Sequence, residues 1–437
     1  MTSRLAEISA LSVTSRTSTL RYKGTTRSLR DIGADLGVEY VLEGTVRTDR
    51  SPDGTGQVRV TPQLIRVSDD SHLWTDRYTA SLAPGEIFMV QAQIAERVAT
   101  ALDVTLLGSE RAALREVLTT DPEAHDAYLL GRFHWNKRGA ENLKRAAGHF
   151  GRAIERDPDF AEAHIGLADT YALFPYYAVP GVTRAEAYAQ AESAARRAIA
   201  LDSTLAAAYA SLGNILTYGA WDWEGAEREF ERAIALDPDY AVTRYWYAEL
   251  LIILGRTTEA IEQAKYAIAY DPAALMAGHL LASTLWREGR LDEAIVRQRA
   301  ALELEPGFVF GHSLLGFVYA EKRQFDTAIR EFELAGAPLD LATAVIDALR
   351  DTTARARAVA VISRYERQRA GDAVTDPAVF AQWYLMVGAV DSAFARLEDA
   401  YQIRSETLIF DLRAPNFEAV QSDPRYADLL RRLRLEP

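Results

Sequence analysis

The chain has 437 residues, 49% of them apolar and 25% charged, with no cysteine and a net charge of −13. That length exceeds one compact domain. No run of 18 apolar residues occurs, so no helical membrane span is expected, and the missing cysteine removes disulfides, thiolate nucleophiles and Cys-ligated zinc.

The opening stretch, MTSRLAEISALSVTSR, has no continuous apolar core and does not read as a secretory signal. Thr26-Arg27-Ser28 precedes Leu29, Ile32 and Leu36, and Gly37 follows, which predicts a short capped helix with a glycine stop. Val38, Tyr40, Leu42 and Val46 then alternate with Glu39, Glu43 and Arg47, a strand pattern. Residues 51–56 supply turn chemistry. Val58, Val60 and Leu64 predict a second strand, where Pro62 suggests an edge or a bulge. Asp69-Asp70-Ser71 turns the chain into HLWTDRY, residues 72–78. A helix from about Glu86 to Leu106 closes the module, with Ile87, Val90, Ile94, Val98 and Leu102 on one face.

The charge is uneven. Residues 1–107 hold 12 Lys/Arg against 13 Asp/Glu, so the remaining −12 lies beyond them. An acidic surface repels phosphate backbones, so nucleic acid is not an expected partner, and a basic peptide or protein is favoured.

Beyond residue 107 one feature recurs. Asp121-Pro122, Asp157-Pro158, Asp202-Ser203, Asp237-Pro238, Asp271-Pro272 and Glu305-Pro306 follow one another at spacings of 36, 45, 35, 34 and 34 residues. A period in this range implies a solenoid of helix pairs. In residues 241–272, Tyr247, Ala248 and Leu251 form one helical stripe and Ala260, Ala264 and Ala267 another, parted by Gly255-Arg256. The proline is expected to end the second helix. The same positions return as Leu212-Gly213, Leu216, Ala226, Phe230 and Ala233, and as Leu315-Gly316, Tyr319, Ala328, Phe332 and Ala335. Leu130-Gly131, Ala146, Phe150 and Ala153 fill them in the first unit.

This pattern resembles the tetratricopeptide repeat, L-G-x-x-Y…A…F…A…P, in six units over about residues 122–338. The second unit is about 11 residues longer and carries Phe174-Pro175-Tyr176-Tyr177-Ala178-Val179-Pro180-Gly181. That loop either docks a ligand or folds back on its own helices. Residues 340–370 look helical but carry few repeat positions. Residues 376–402 recover one more pair through Tyr384, Gly388, Ala393 and Leu397. The end, LRAPNFEAVQSDPRYADLLRRLRLEP, reads as a closing helix over the last apolar face.

The order SRTSTLRYKG, LGVEYVLEGTV, RVTPQLI and HLWTDRY resembles the TolB N-terminal-like (FlgO-like) α/β domain. In bacteria that domain often links tetratricopeptide repeats to Ser/Thr kinases, nucleotide cyclases or winged-helix regulators. Members of that family begin with a strand, a loop and a full helix. Here the chain starts inside that helix, at about Thr2–Ser9. The expectation is therefore a C-terminal piece of a longer protein, or a misassigned start. The expected domains are 1–107 (truncated α/β), 108–338 (solenoid) and 339–437 (degenerate repeats and cap). The fold class is thus a small mixed sheet with helices followed by an all-α right-handed solenoid.

No G-x-G-x-x-G, G-x-x-x-x-G-K-[ST], H-R-D, D-F-G or H-E-x-x-H occurs, and the seven histidines are dispersed. Gly311-His312-Ser313-Leu314-Leu315-Gly316 only approaches a nucleophile elbow and falls in a helix. No catalytic, cofactor or metal residue is expected, and the reading is a non-enzyme. In such repeats the first helix of each pair lines a groove. The outward positions there are Tyr128, Arg132, Trp135, Asp169, Asn214, Thr217, Tyr245, Glu249, His279, Ser283, Trp286 and Phe317. Aromatics beside single polar groups suit an extended peptide. Of the Lys and Asn positions of the family's carboxylate clamp, only Asn214 fits, so capture of an acidic C-terminal tail is not expected. A homo-oligomer is compatible with the sequence. The expected compartment is the cytoplasm, with an extracytoplasmic arm of a membrane-anchored protein as the alternative.

Overall fold

The computed structural model describes residues 22–50, 56–82, 84–104, 118–270, 275–369 and 376–435, with isolated positions between 5 and 19. The first helix expected at Thr2–Ser9, the turn at 51–55 and the Asp271-Pro272 step lie largely or wholly outside the described residues. The chain divides into two compact units. Unit 1 is residues 1–212 with 235–240 and 269–274; unit 2 is 213–234, 241–268 and 275–437.

Unit 1 opens with helix α1 (Leu29–Leu36). Ser28 caps it by accepting the Asp31 N–H, and Gly37 stops it at φ 64°. Four strands follow: β1 (Tyr40–Arg50), β2 (Gly56–Arg66), β3 (Ser71–Thr75) and β4 (Tyr78–Ser81). Among the described residues all pairing is antiparallel, so the sheet is not the mixed one expected. β2 is central, with β1 on one side and β3 and β4 sharing the other. Pro62 therefore does not mark an edge. It pairs with Gly44 of β1, and on the other side it sits at the break between β3 and β4. A proline fits there because no ladder partner needs its missing N–H. Helix α2 (Pro84–Ala101) is shorter than expected and lays Val90, Ile94, Ala95 and Val98 on Leu64 and Trp74.

The all-α part begins at α3 (Pro122–Lys137) and α4 (Ala140–Arg156), followed by α5 (Ala161–Ala172), α6 (Arg184–Leu201), α7 (Ala206–Ile215) and α8 (Trp223–Leu236). A π-helical turn, Leu216–Ala220, extends α7. Then come α9 (Ala241–Ile253), α10 (Thr257–Tyr270), α11 (Leu275–Arg287), α12 (Leu291–Leu304), α13 (Val309–Glu321) and α14 (Phe325–Leu334). These are the six expected pairs. Residues 339–368, which carry few repeat positions, nonetheless form a regular pair. Its helices are α15 (Leu339–Arg350) and α16 (Arg355–Gln368), with Val345, Ile346, Ala358 and Ile362 buried. α17 (Pro377–Met386) and α18 (Val390–Gln402) make another. A short α19 (Glu406–Asp411), a 3-10 turn (Pro415–Val420) and α20 (Pro424–Arg432) end the chain.

The recurring acid has a direct cause. The carboxylates of Asp157, Asp202 and Asp237 accept the backbone N–H two residues on, at 3.2, 2.8 and 3.0 Å. Each closes the turn between one pair and the next. At Asp121 the same carboxylate caps α3, and Pro122 begins that helix instead of ending an earlier one.

Glycine and phenylalanine are matched across three of the pairs. A Cβ on Gly131 would lie 2.7 Å from Phe150, and one on Gly213 would lie 2.8 Å from Phe230; Gly316 is as tightly placed against Phe332. Where the first-helix residue is Ala168, Ala248 or Ala282, the ring position holds Ala195, Ala264 or Gln298. A methyl on the first helix thus goes with a smaller residue opposite, because the ring would have no room. The long loop of the second pair folds back between the first pair and its own second helix. Phe174 and Val179 are buried with Leu143 and Ala187, and a Thr183–Glu186 capping box then starts α6.

Candidate functional site

In unit 1 the first-helix positions divide between packing and polar groups. Tyr128 packs its ring on Phe150 and Phe160, with centroids 5.8 and 5.0 Å away. Arg132 and Arg138 both lie over the Trp135 ring, at 4.9 and 3.7 Å. Asp169 accepts a 2.5 Å hydrogen bond from Ser211 Oγ. Burial pushes its carboxyl up, against the pull of Ser211 and of the two arginines. Burial likewise raises the Tyr240 phenol, and the Asp169 charge adds to it.

In unit 2, Asn214 is half-buried, and Thr217 is buried and bonded to its own helix at Gly213 O, 2.9 Å away. Tyr245 Oη donates to Glu249 Oε1 at 2.6 Å. Burial raises the Glu249 carboxyl to about 7. Hydrogen bonds from Tyr245 and Tyr218 oppose this, and the Glu406 charge reinforces it. His279 faces Gln298 at 2.9 Å and meets Phe308 edge-on. Burial lowers its imidazole to about 4, so it is neutral at pH 7. Ser283 and Trp286 are buried. The Trp286 indole donates to Glu321 at 2.8 Å and stacks on Phe317, which in turn meets Phe332 and Trp383. The structure therefore brings Tyr245 and Glu249 together on one face and places Trp286 and Phe317 within inter-helix packing.

The sequence reading missed what lies against that face. The C-terminal segment does more than close the last pair. α20 does sit on α18, through the Arg432–Glu398 pair and Arg425 over Phe394. The residues before it, however, reach back to earlier repeats. Arg404 donates to Gly219 O at 3.0 Å and lies 4.1 Å over Trp221. Arg413 donates to Ile253 O at 3.1 Å. Arg287 donates to Phe410 O at 3.0 Å and pairs with Asp411 at 3.5 Å, and its side chain is 2% exposed. Gln382 holds the other Asp411 oxygen at 2.6 Å. Burial raises the Asp411 carboxyl to about 6 in spite of Arg287. Two of these arginines end on carbonyls at helix termini, where cations are favoured. The basic residues and apolar triplet of residues 404–413 were visible in the sequence; their target was not.

Among the described residues, no group of three His, Asp or Glu side chains is placed to hold a metal ion, and no helix is long and apolar enough to cross a membrane. The tetratricopeptide repeat family profile matches residues 219–283. Residues 219–283 are thus similar to the tetratricopeptide repeat, and they lie within the longer run of helix pairs. A Rhizobium meliloti (strain 1021) protein named "Putative adenylate cyclase 3" is 34% identical over 164 residues, 38% of this chain and 27% of that protein. The chain thus spans about a quarter of that relative's length. Among solved structures, YrrB, described as a TPR protein with an unusual peptide-binding site, is 24% identical over 43% of this chain and 91% of its own (TM-score 0.32). Pseudomonas aeruginosa pilF is 18% identical over 50% of this chain and 95% of its own (TM-score 0.39).

Proposed function

We propose that this chain is a non-catalytic protein- or peptide-binding module, the sensory or partner-binding arm of a bacterial signalling protein working in the cytoplasm. In this reading residues 1–107 are a TolB N-terminal-like (FlgO-like) domain, 108–338 the binding repeats and 339–437 their degenerate continuation and cap. The observation that carries it is the first-helix face itself. In unit 1 that face sets Arg132, over Trp135, beside the Asp169–Ser211 pair. Single polar groups between aromatic rings give an extended ligand both hydrogen bonds and contact area. The excess of acid favours a basic ligand.

Affinity capture with the full chain, read by quantitative mass spectrometry, tests this. An Arg132→Ala/Tyr245→Ala variant should lose its main partner at least fivefold relative to wild type. Equal recovery by both would remove the groove reading. A second reading has its own support: the stretch related to a cyclase-named protein favours a regulatory part of a nucleotide cyclase over one of a kinase. Sequencing the coding region upstream decides between them, since cyclase and kinase motifs differ at sight.

A further inference from the structure

The first-helix face of unit 2 already holds a ligand-like element, and its chemistry is legible. Ser405 caps α19 by accepting the Leu408 N–H at 2.9 Å. Leu408, Ile409 and Leu412 are buried, and the half-buried Phe410 ring lies 5.1 Å from the Arg287 guanidinium. Asp411 follows on the same cation, and Arg413 closes the segment on Ile253 O. We propose that residues 405–413 are an intramolecular ligand of this face. A partner bearing a short helix of the same chemistry, an aliphatic pair, an aromatic ring, a carboxylate and then an arginine, binds there by replacing them. The proposal rests on the peptide-binding reading above and names the ligand class for unit 2.

Two features make the segment exchangeable and not simply core. Arg287 is buried, yet its Nε and Nη1 have no acceptor, because Asp411 engages Nη2 alone. A buried donor left unpaired is costly, and a ligand whose carboxylate reaches these two nitrogens would relieve it. The segment also brings Glu406 toward the half-buried Glu249, so like charges oppose the docked state. The close fit at Gly255, where an added Cβ would meet Arg413 at 3.1 Å, shows that the site is shaped around its occupant.

The test uses the full chain and a fluorescein-labelled peptide of the sequence Ser405–Arg413, read by anisotropy. Phe410→Ala/Asp411→Ala loosens the occupant and leaves the face intact, so it should bind the peptide at least tenfold more tightly than wild type. Adding Arg287→Ala should return binding to the wild-type level. A folded double variant that binds no better than wild type would show that the segment is a permanent cap and overturn the proposal. Should the double variant fail to fold, hydrogen exchange on the wild type decides. Exchange in 405–413 at least tenfold faster than in α15 is expected, and equal protection of the two overturns the idea. Peptide exchange without any cellular partner lost in the capture experiment would leave this inference standing and remove only the signalling reading.

Discussion

Replacing Glu249 by glutamine should make unit 2 more stable at pH 8 and leave it unchanged at pH 4. The carboxyl is raised from 4.5 to about 7 by burial, with Glu406 adding repulsion. A carboxyl raised in the folded state contributes stability that is fully present below its unfolded value, near 4.5. That contribution is lost as pH rises through about 7. The interval of about 2.5 pH units, at about 1.4 kcal/mol each, gives roughly 3.5 kcal/mol between pH 4 and pH 8. This is a ceiling, because Glu249 keeps some solvent contact. Glutamine keeps an acceptor for Tyr245, carries no charge and offers an amide donor toward Glu406. Urea unfolding followed by circular dichroism at pH 4, 6 and 8 measures the effect. With a slope of about 3 kcal/mol per molar urea, the variant's midpoint should exceed wild type by up to ~1 M at pH 8 and match it at pH 4. Parallel pH profiles for the two proteins would refute the reasoning.

Gly316→Ala should cost about 1–3 kcal/mol, because its Cβ runs into the buried Phe332 ring; the thermal midpoint checks this, and pairing it with Phe332→Leu should recover part of the loss. Arg287→Ala strips the cation from a buried Asp411 and should destabilise by about 3 kcal/mol at pH 8 but less at pH 5, where Asp411 takes up a proton; denaturant midpoints at both pH values show it. Asp121→Ala removes the acceptor for the Glu123 and Ala124 N–H groups at 2.8 and 2.9 Å and should cost about 1 kcal/mol, read as faster amide exchange at the start of α3.

Local chemistry was legible and distant return was not. The acid-proline period could be read because three of its steps close with the same turn, in which Asp157, Asp202 and Asp237 each accept an N–H two residues on. The Gly–Phe exchange across pairs is equally local, since Gly131 and Phe150 belong to one hairpin of helices. Pro62 was half legible. Its missing donor required an irregularity, but the break lies in the neighbouring strands and not in its own edge position. The pair at 339–368 escaped because its stripes use Val345, Ile346 and Ile362 in place of repeat residues. The docking of residues 404–413 could not be seen, because Arg287 and Phe410 are 123 residues apart, as Trp223 and Leu433 are 210 apart. Contacts at such separations leave no periodic trace. Of the candidate face, polar positions such as Tyr245 and Glu249 could be found from helical phase. The burial of Trp286 under Phe317 could not, because it depends on the next repeat.

Photo-crosslinking tests the account most directly. A benzophenone amino acid placed at Arg132 or Tyr245, on the first-helix face, is compared with one placed at the exposed Glu262 on α10. The account predicts that one partner protein is crosslinked from the first-helix positions and not from Glu262. The same partner captured equally from Glu262, or from none of the three, would contradict it.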